Sequence, residues 1–226
     1  MLRHLRHFHI SGLILLLALL SNPAIATVTP PDKMLETVTR EMIGALQDHH
    51  DAIQQDHRVL HGLIEKILLP HIDIITASRM VLGKHWRTAS KDQKLRFIKA
   101  FRELLTRFYS SALAEYLSDH KIESNFITFL PLRESLDQKR LSIHAEVHPP
   151  GGEKVSVSYR LRNTRKGWKI YDVTVSGISI ISTYRTSFAS EIHQKGLEPF
   201  ISSIEKRNDA LLRAVENRAA QVSQNP

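Results

Sequence analysis

The 226-residue chain contains no cysteine, so nothing in it can be stapled by disulfides or use a thiolate nucleophile. A small exported eukaryotic domain would ordinarily need such staples, so a bacterial protein held together by its core is the better fit. Aromatic residues are only 7% of the total, with 42% hydrophobic and 24% charged. That balance excludes disordered and fibrous classes and suits one domain with terminal extensions. Glycine-rich phosphate loops and dinucleotide fingerprints are absent. Ser176-Gly177-Ile178-Ser179 lacks the Gly-x-Ser-x-Gly pattern of a nucleophile elbow.

Long apolar runs are also scarce, and the main one is at the start. Arg3 and Arg6 precede an apolar stretch from Ile10 to Leu20, followed by Ala24-Ile25-Ala26. Positive residues, a short apolar run and a small-x-small triplet are the parts of a cleaved export signal. The stretch is too short for a bilayer span, which needs about 20 apolar residues. No cysteine follows it to take a lipid anchor. The expected division is therefore a signal peptide over 1–26, a domain over 27–206 and a polar, helical or disordered tail over 207–226. Losing the signal removes two arginines and no acid, so the net charge of +8 becomes +6. For a basic exported protein, anionic membrane surfaces are a more natural electrostatic partner than nucleic acid. Acids are interspersed with the basic residues, which also argues against nucleic acid.

The pattern of the remaining chain predicts an α+β fold. Leu35, Val38, Met42 and Leu46 recur at helical spacing after Pro30-Pro31. A second helix carries Val59, Leu60, Leu63, Ile64 and Ile67, and Pro70 should end it. A third covers Ile74 to Leu82, with Gly83 at the cap. Ser90-Lys91-Asp92-Gln93 is a capping box opening the longest helix. One face of that helix is expected to run through Leu95, Ile98, Phe101, Leu105, Phe108, Ala112 and Tyr116. From Phe126 the period becomes alternating, giving about four antiparallel strands joined by turns at 149–152 and 163–167. On the last strand Lys169, Tyr171, Val173 and Val175 should share one face, and Trp168, Ile170, Asp172 and Thr174 the other. Helices resume after Gly177. The whole is expected to be a helical N-terminal half packed on a curved antiparallel sheet, with C-terminal helices, enclosing an apolar cavity.

Thirteen histidines raise the question of a metal. His57 and His61 share a helix face, with His49, His50 or Asp56 as a third ligand, but a solvated surface explains them more simply. No metal site is expected. Asp172 and Arg185 are expected to form a structural ion pair. An acid–base pair for an enzyme would have to come from Asp172 with Tyr184 or His144.

Two blocks carry a family resemblance. The first is Leu82-Gly83-Lys84-His85-Trp86-Arg87-Thr88-Ala89-Ser90, followed by Gln93, Phe97 and Phe101 to Leu105. The second is Val157 to Arg162, Gly167-Trp168-Lys169-Ile170-Tyr171-Asp172-Val173, Gly177-Ile178-Ser179 and Tyr184-Arg185 through Phe188. In this order the blocks resemble the MlaC family, also called the toluene-tolerance Ttg2 family, over roughly 31–206. The resemblance implies a periplasmic phospholipid carrier with no catalysis and no cofactor beyond its lipid cargo. It also implies partners: an inner-membrane ABC permease complex with a ring of MCE domains, and an outer-membrane lipoprotein complex. Exposing two acyl tails of about 30 methylenes would cost on the order of 25 kcal/mol, so such a site should consist of apolar side chains. The candidates are Leu105, Tyr109 and Leu113 on the long helix, and Val157, Tyr159, Tyr171, Val173 and Val175 on the sheet. Ile181 and Phe188 would close it, and Arg185, Arg160 and Lys169 are candidates for headgroup or rim contacts. The competing readings are an enzyme on a similar cone-shaped sheet and a periplasmic adaptor that binds membrane proteins without lipid.

Overall fold

The computed structural model describes residues 29–224, with side chains through residue 210. The expected signal segment lies outside the described residues. Helix α1, Pro31–Asp48, begins with proline in its first turn and buries Met34, Leu35, Val38, Met42, Ile43 and Leu46. That set is the predicted stripe, widened by Met34 and Ile43 to a face broad enough for a core. Two short helices follow, α2 over His50–Gln55 and α3 over His57–Leu63. Asp56 separates them, and its carboxylate accepts the Arg58 N–H as an N-cap.

Proline lacks an N–H and crowds the preceding turn. Ahead of Pro70 the chain widens into a π turn over Ile64–Leu68, then tightens into a 3₁₀ turn over Leu69–His71. Helix α4, Ile74–Leu82, ends on Gly83 with φ of +53°, a conformation that side-chain-bearing residues rarely adopt. After the short α5, His85–Thr88, the capping box opens α6, Lys91–Asp119. Ser90 Oγ accepts the Gln93 N–H, and the Gln93 side chain accepts the Ser90 N–H.

The sheet has five strands in sequential antiparallel order: β1 Ile127–Phe129, β2 Arg140–Val147, β3 Val155–Thr164, β4 Gly167–Val175 and β5 Ile178–Ser179. The fifth, of two residues, is too short to announce itself by period. Helices α7, Ile180–Lys195, and α8, Leu197–Gln224, complete the chain. Packing continues past residue 206, since Asn208 is buried and its amide donates to the Ala100 carbonyl.

Two hydrophobic cores result. The first joins α1, Ile53, Leu60, Ile64, Ile67 and the end of α6 to the sheet residues Leu141, Ile143, Leu161, Trp168 and Ile170. The second is helical: Ala77, Val81 and Leu82 of α4, Phe97 and Phe101 of α6, Phe188 of α7 and Phe200 of α8 among others. Helix α6, about 43 Å long, runs through both. Its buried residues are Phe97, Ala100 and Phe101 in one half and Ala114 and Leu117 in the other, with only Thr106 and Ser110 buried between. The face therefore rolls along the helix. This corrects the single stripe expected from spacing: Leu95 and Phe108 are 58% and 59% exposed.

Candidate functional site

The site is built on β3 and β4. Opposite residues in an antiparallel ladder share a face, and Val157 pairs with Val175 and Tyr159 with Val173. A bulge then intervenes. Arg160 opposes Asp172, but Leu161 opposes Ile170, so Tyr171 is the extra residue. Alternation across the bulge is reset by one position. Trp168 and Ile170 consequently join Val173 and Val175 on the inner face, while Lys169 joins Asp172 on the outer one. The expected alternation is overturned on this strand, because an inserted residue shifts every side chain beyond it.

Tyr171 goes with the outer face. Its ring lies 5.2 Å from the Arg160 guanidinium and 5.9 Å from that of Arg140. Its place is beneath two cations, not in the apolar interior. The inner face keeps a gradient along β4: Trp168 and Ile170 are buried, Val173 is half-buried, and Val175 is 39% exposed. Ile178, paired with Val175 through β5, is 67% exposed. The apolar surface thus continues from the core to the open end of the sheet. Tyr159 sits midway, its ring 6.1 Å from that of Phe129. Burial pushes its hydroxyl up to about 12.

The helical wall is α6. Leu105, Tyr109 and Leu113 follow one another at single-turn spacing. Leu105 packs against the helical core and Leu113 against the sheet core. Tyr109 falls at the seam between them and stays 39% exposed. Its hydroxyl is pushed up to about 12, first by burial and then by the neighbouring Tyr184. Burial raises Tyr184 as well.

The other candidates lie elsewhere. Phe188 belongs to an aromatic cluster, 4.8 Å from Phe200, 5.3 Å from Tyr184 and 6.0 Å from Phe101. Ile181 is buried in the same helical core. The three rim cations do not converge. Lys169 donates to the Pro70 carbonyl at 2.6 Å, six residues and about 20 Å along β4 from Val175. Arg160 is on the outer face, 3.5 Å from the buried Asp172 carboxylate. Arg185 lies against Gly83, where an added Cβ would meet its Nε at 3.2 Å.

The expected Asp172–Arg185 pair is corrected accordingly. Asp172 accepts from the Ser179 hydroxyl at 2.7 Å and the Ile181 N–H at 3.1 Å, with Arg160 as its cation. The carboxylate thereby caps the first turn of α7 and ties it to the bulge. Neither Tyr184 nor His144 is among its partners in the described residues. His61 has Glu65 as its acidic neighbour, 3.9 Å away, and no three metal-ligating groups converge among the described residues.

Reading the sequence alone missed Ile178 as a neighbour of the candidate site and weighed Tyr184 only as an acid–base partner for Asp172. Ile178 stands within the Gly-Ile-Ser block, but two residues carry no period.

The class this defines is an open antiparallel sheet, apolar on one face and closed over by helices. The MlaC protein family model matches residues 36–206, and the chain belongs to that family. The toluene tolerance protein ttg2D of Pseudomonas putida is 30% identical over 186 residues, covering 82% of this chain and 83% of that protein. The intermembrane phospholipid transport system binding protein MlaC of Haemophilus influenzae is 25% identical over 203 residues, covering 88% and 91%. A phospholipid-binding protein from Ralstonia solanacearum, solved in complex with a phospholipid, superposes with a TM-score of 0.70 at 23% identity. That match covers 79% of this chain and 97% of the other, and it shows the shared fold. No described helix is long and apolar enough to cross a membrane.

Proposed function

We propose that this protein is a phospholipid carrier that holds acyl tails between the inner face of the sheet and α6. The observation that carries this reading is the graded apolar surface from Ile170 through Val173 to the exposed Val175 and Ile178. A surface that is buried at one end and open at the other suits a ligand with an insoluble tail and a soluble head. The family and the phospholipid named for two of its relatives support the same reading. Tyr109, Leu113, Val157, Tyr159, Val173 and Val175 are the proposed tail contacts, with Leu105 one turn away on the helical-core side of the seam. Of the proposed headgroup cations, Arg160 is paired with Asp172 and Lys169 is bonded to the Pro70 carbonyl, which leaves Arg185 as the proposed headgroup contact.

The setting proposed is the periplasm, reached by a cleaved signal over residues 1–26. Lipid would pass between an outer-membrane lipoprotein complex and an inner-membrane ABC permease complex bearing MCE domains. Binding and release need no chemistry. The outer-face Asp172 is committed to α7 and Arg160, which supports a structural role for it rather than acid–base work.

Native mass spectrometry of the exported protein, purified without detergent, tests the reading. A released mass matching a diacyl phospholipid is expected. Val173→Glu would place a carboxylate opposite Tyr159 on the inner face, where burying an unpaired charge is costly. That variant should lose its lipid while keeping its circular dichroism. Retention at wild-type levels would remove β4 from the site.

A further inference from the structure

The first motif block, residues 82–90, takes no part in the candidate lipid site, and it leads straight into α6. The two are held together: Lys94 of α6 lies over the Trp86 ring, 5.6 Å from its centroid. Trp86 packs against the helical core yet remains half-buried. Lys84 and Arg87, both exposed, flank it in the chain.

The outward arc of α6 continues the pattern. At about 100° per residue, Lys94, Ile98, Lys91, Leu95 and Lys99 span an arc of about 140° over its first turns. The opposite side carries the buried Phe97, Ala100 and Phe101. Leu95 falls midway between Lys91 and Lys99 and is 58% exposed. A single exposed leucine is ordinary on a protein surface, but its setting here is not. Lys84, Arg87, Lys91, Lys94 and Lys99 form no ion pair among the described residues. The neighbouring acids are engaged elsewhere. Asp92 lies 3.7 Å from Arg96, which is also clamped to Glu198 and Glu205 of α8. Glu65 holds Arg102 at 3.0 Å. Glu103 falls on the Arg96 flank of the helix, beyond Lys99.

We infer that residues 84–99 form a docking surface for an anionic lipid bilayer. Trp86 and Leu95 enter the headgroup boundary, and the lysines and Arg87 meet anionic headgroups around them. Ammonium groups on flexible stems, unpaired by fixed carboxylates, match a fluid field of headgroups. A folded acidic partner would be better met by the planar fork of arginine, and Arg87 is the one arginine among these cations. The inference stands apart from the carrier reading, because no residue proposed to hold the tails or the headgroup belongs to this surface.

The test is sedimentation of the exported protein with vesicles of mixed phosphatidylglycerol and phosphatidylcholine at low salt. Binding is expected there, and its loss on pure phosphatidylcholine or at high salt. Lys84→Gln, Lys91→Gln and Lys99→Gln together should weaken it on the order of a hundredfold, at about fivefold per cation. Leu95→Ser, at a position outside both cores, should weaken it about tenfold. Because Trp168 is buried, Trp86 should account for a blue shift of emission on binding, and Trp86→Phe should remove it. Full binding by the triple glutamine variant would overturn the inference. No binding to anionic vesicles would overturn it too, leaving the surface to an acidic protein. Val173→Glu separates the two proposals, since it should lose bound lipid yet sediment like the wild type. Loss of sedimentation in that variant would place membrane contact at the tail site and overturn the docking surface. Lysine-dependent sedimentation of a protein free of diacyl lipid would sink the carrier reading and leave this one standing.

Discussion

Tyr159 and Tyr109 report directly on how dry the proposed site is. Both hydroxyls are pushed up to about 12 from an ordinary 10 by loss of water around the phenolate. Folded, they hold their protons more tightly than unfolded. Between pH 10 and 12 the folded chain keeps protons that the unfolded chain has lost, so stability falls as pH rises through that window. Following tyrosinate absorbance during an alkaline titration should resolve a late-ionising group near pH 12, and Tyr159→Phe should remove part of it. If all tyrosines titrate together near 10, the interior is wet. Neither raised hydroxyl could be read from the sequence, where both tyrosines stand in ordinary apolar stripes. The environments come from residues distant in the chain, Phe129 beside Tyr159 and, through its charge, Tyr184 beside Tyr109.

At the scale of elements, the ends were far more legible than the faces. Pro31, the Ser90–Gln93 capping box and Gly83 act on backbone groups within a few residues of themselves, and each terminates an element where spacing placed it. The α4 boundary makes this testable. Gly83→Ala would force a side chain into φ of +53° and bring its Cβ within 3.2 Å of Arg185. A loss of about 1–3 kcal/mol is expected in urea unfolding. An unchanged midpoint would show that the turn relaxes freely. Faces, by contrast, were misread twice. The bulge at Tyr171 inserts one residue that no propensity announces, and it sends Tyr171 to the arginines. Helix α6 offers apolar residues around much of its circumference, so periodicity could not say which arc each half would bury.

Across the whole molecule, α6 is the shared beam of two cores, and the proposed site occupies the seam where it passes from one to the other. A ligand there stabilises only the assembled state. At a hundred times its dissociation constant it would contribute about 2.7 kcal/mol. For a domain of this size that corresponds to about 5–10 °C in Tm. Stripping bound lipid should lower the calorimetric transition by that amount, and adding it back should restore it. A transition indifferent to lipid would mean that the seam is closed without it.

The sequence by itself determined the α+β order and most element ends, because capping, turn chemistry and hydrophobic period act locally, and its two motif blocks pointed to the family and to an apolar proposed site. It also pointed to Val173, Val175 and Tyr159, which alternate on one face of their own strands. Only the tertiary structure decided that Asp172 binds Arg160 and the start of α7, that Lys169 is occupied far from the open end, and that Phe188 belongs to the helical core. Those outcomes depend on which segments meet. A one-residue bulge and the rolling face of a long helix settle that through packing, and no local pattern encodes it.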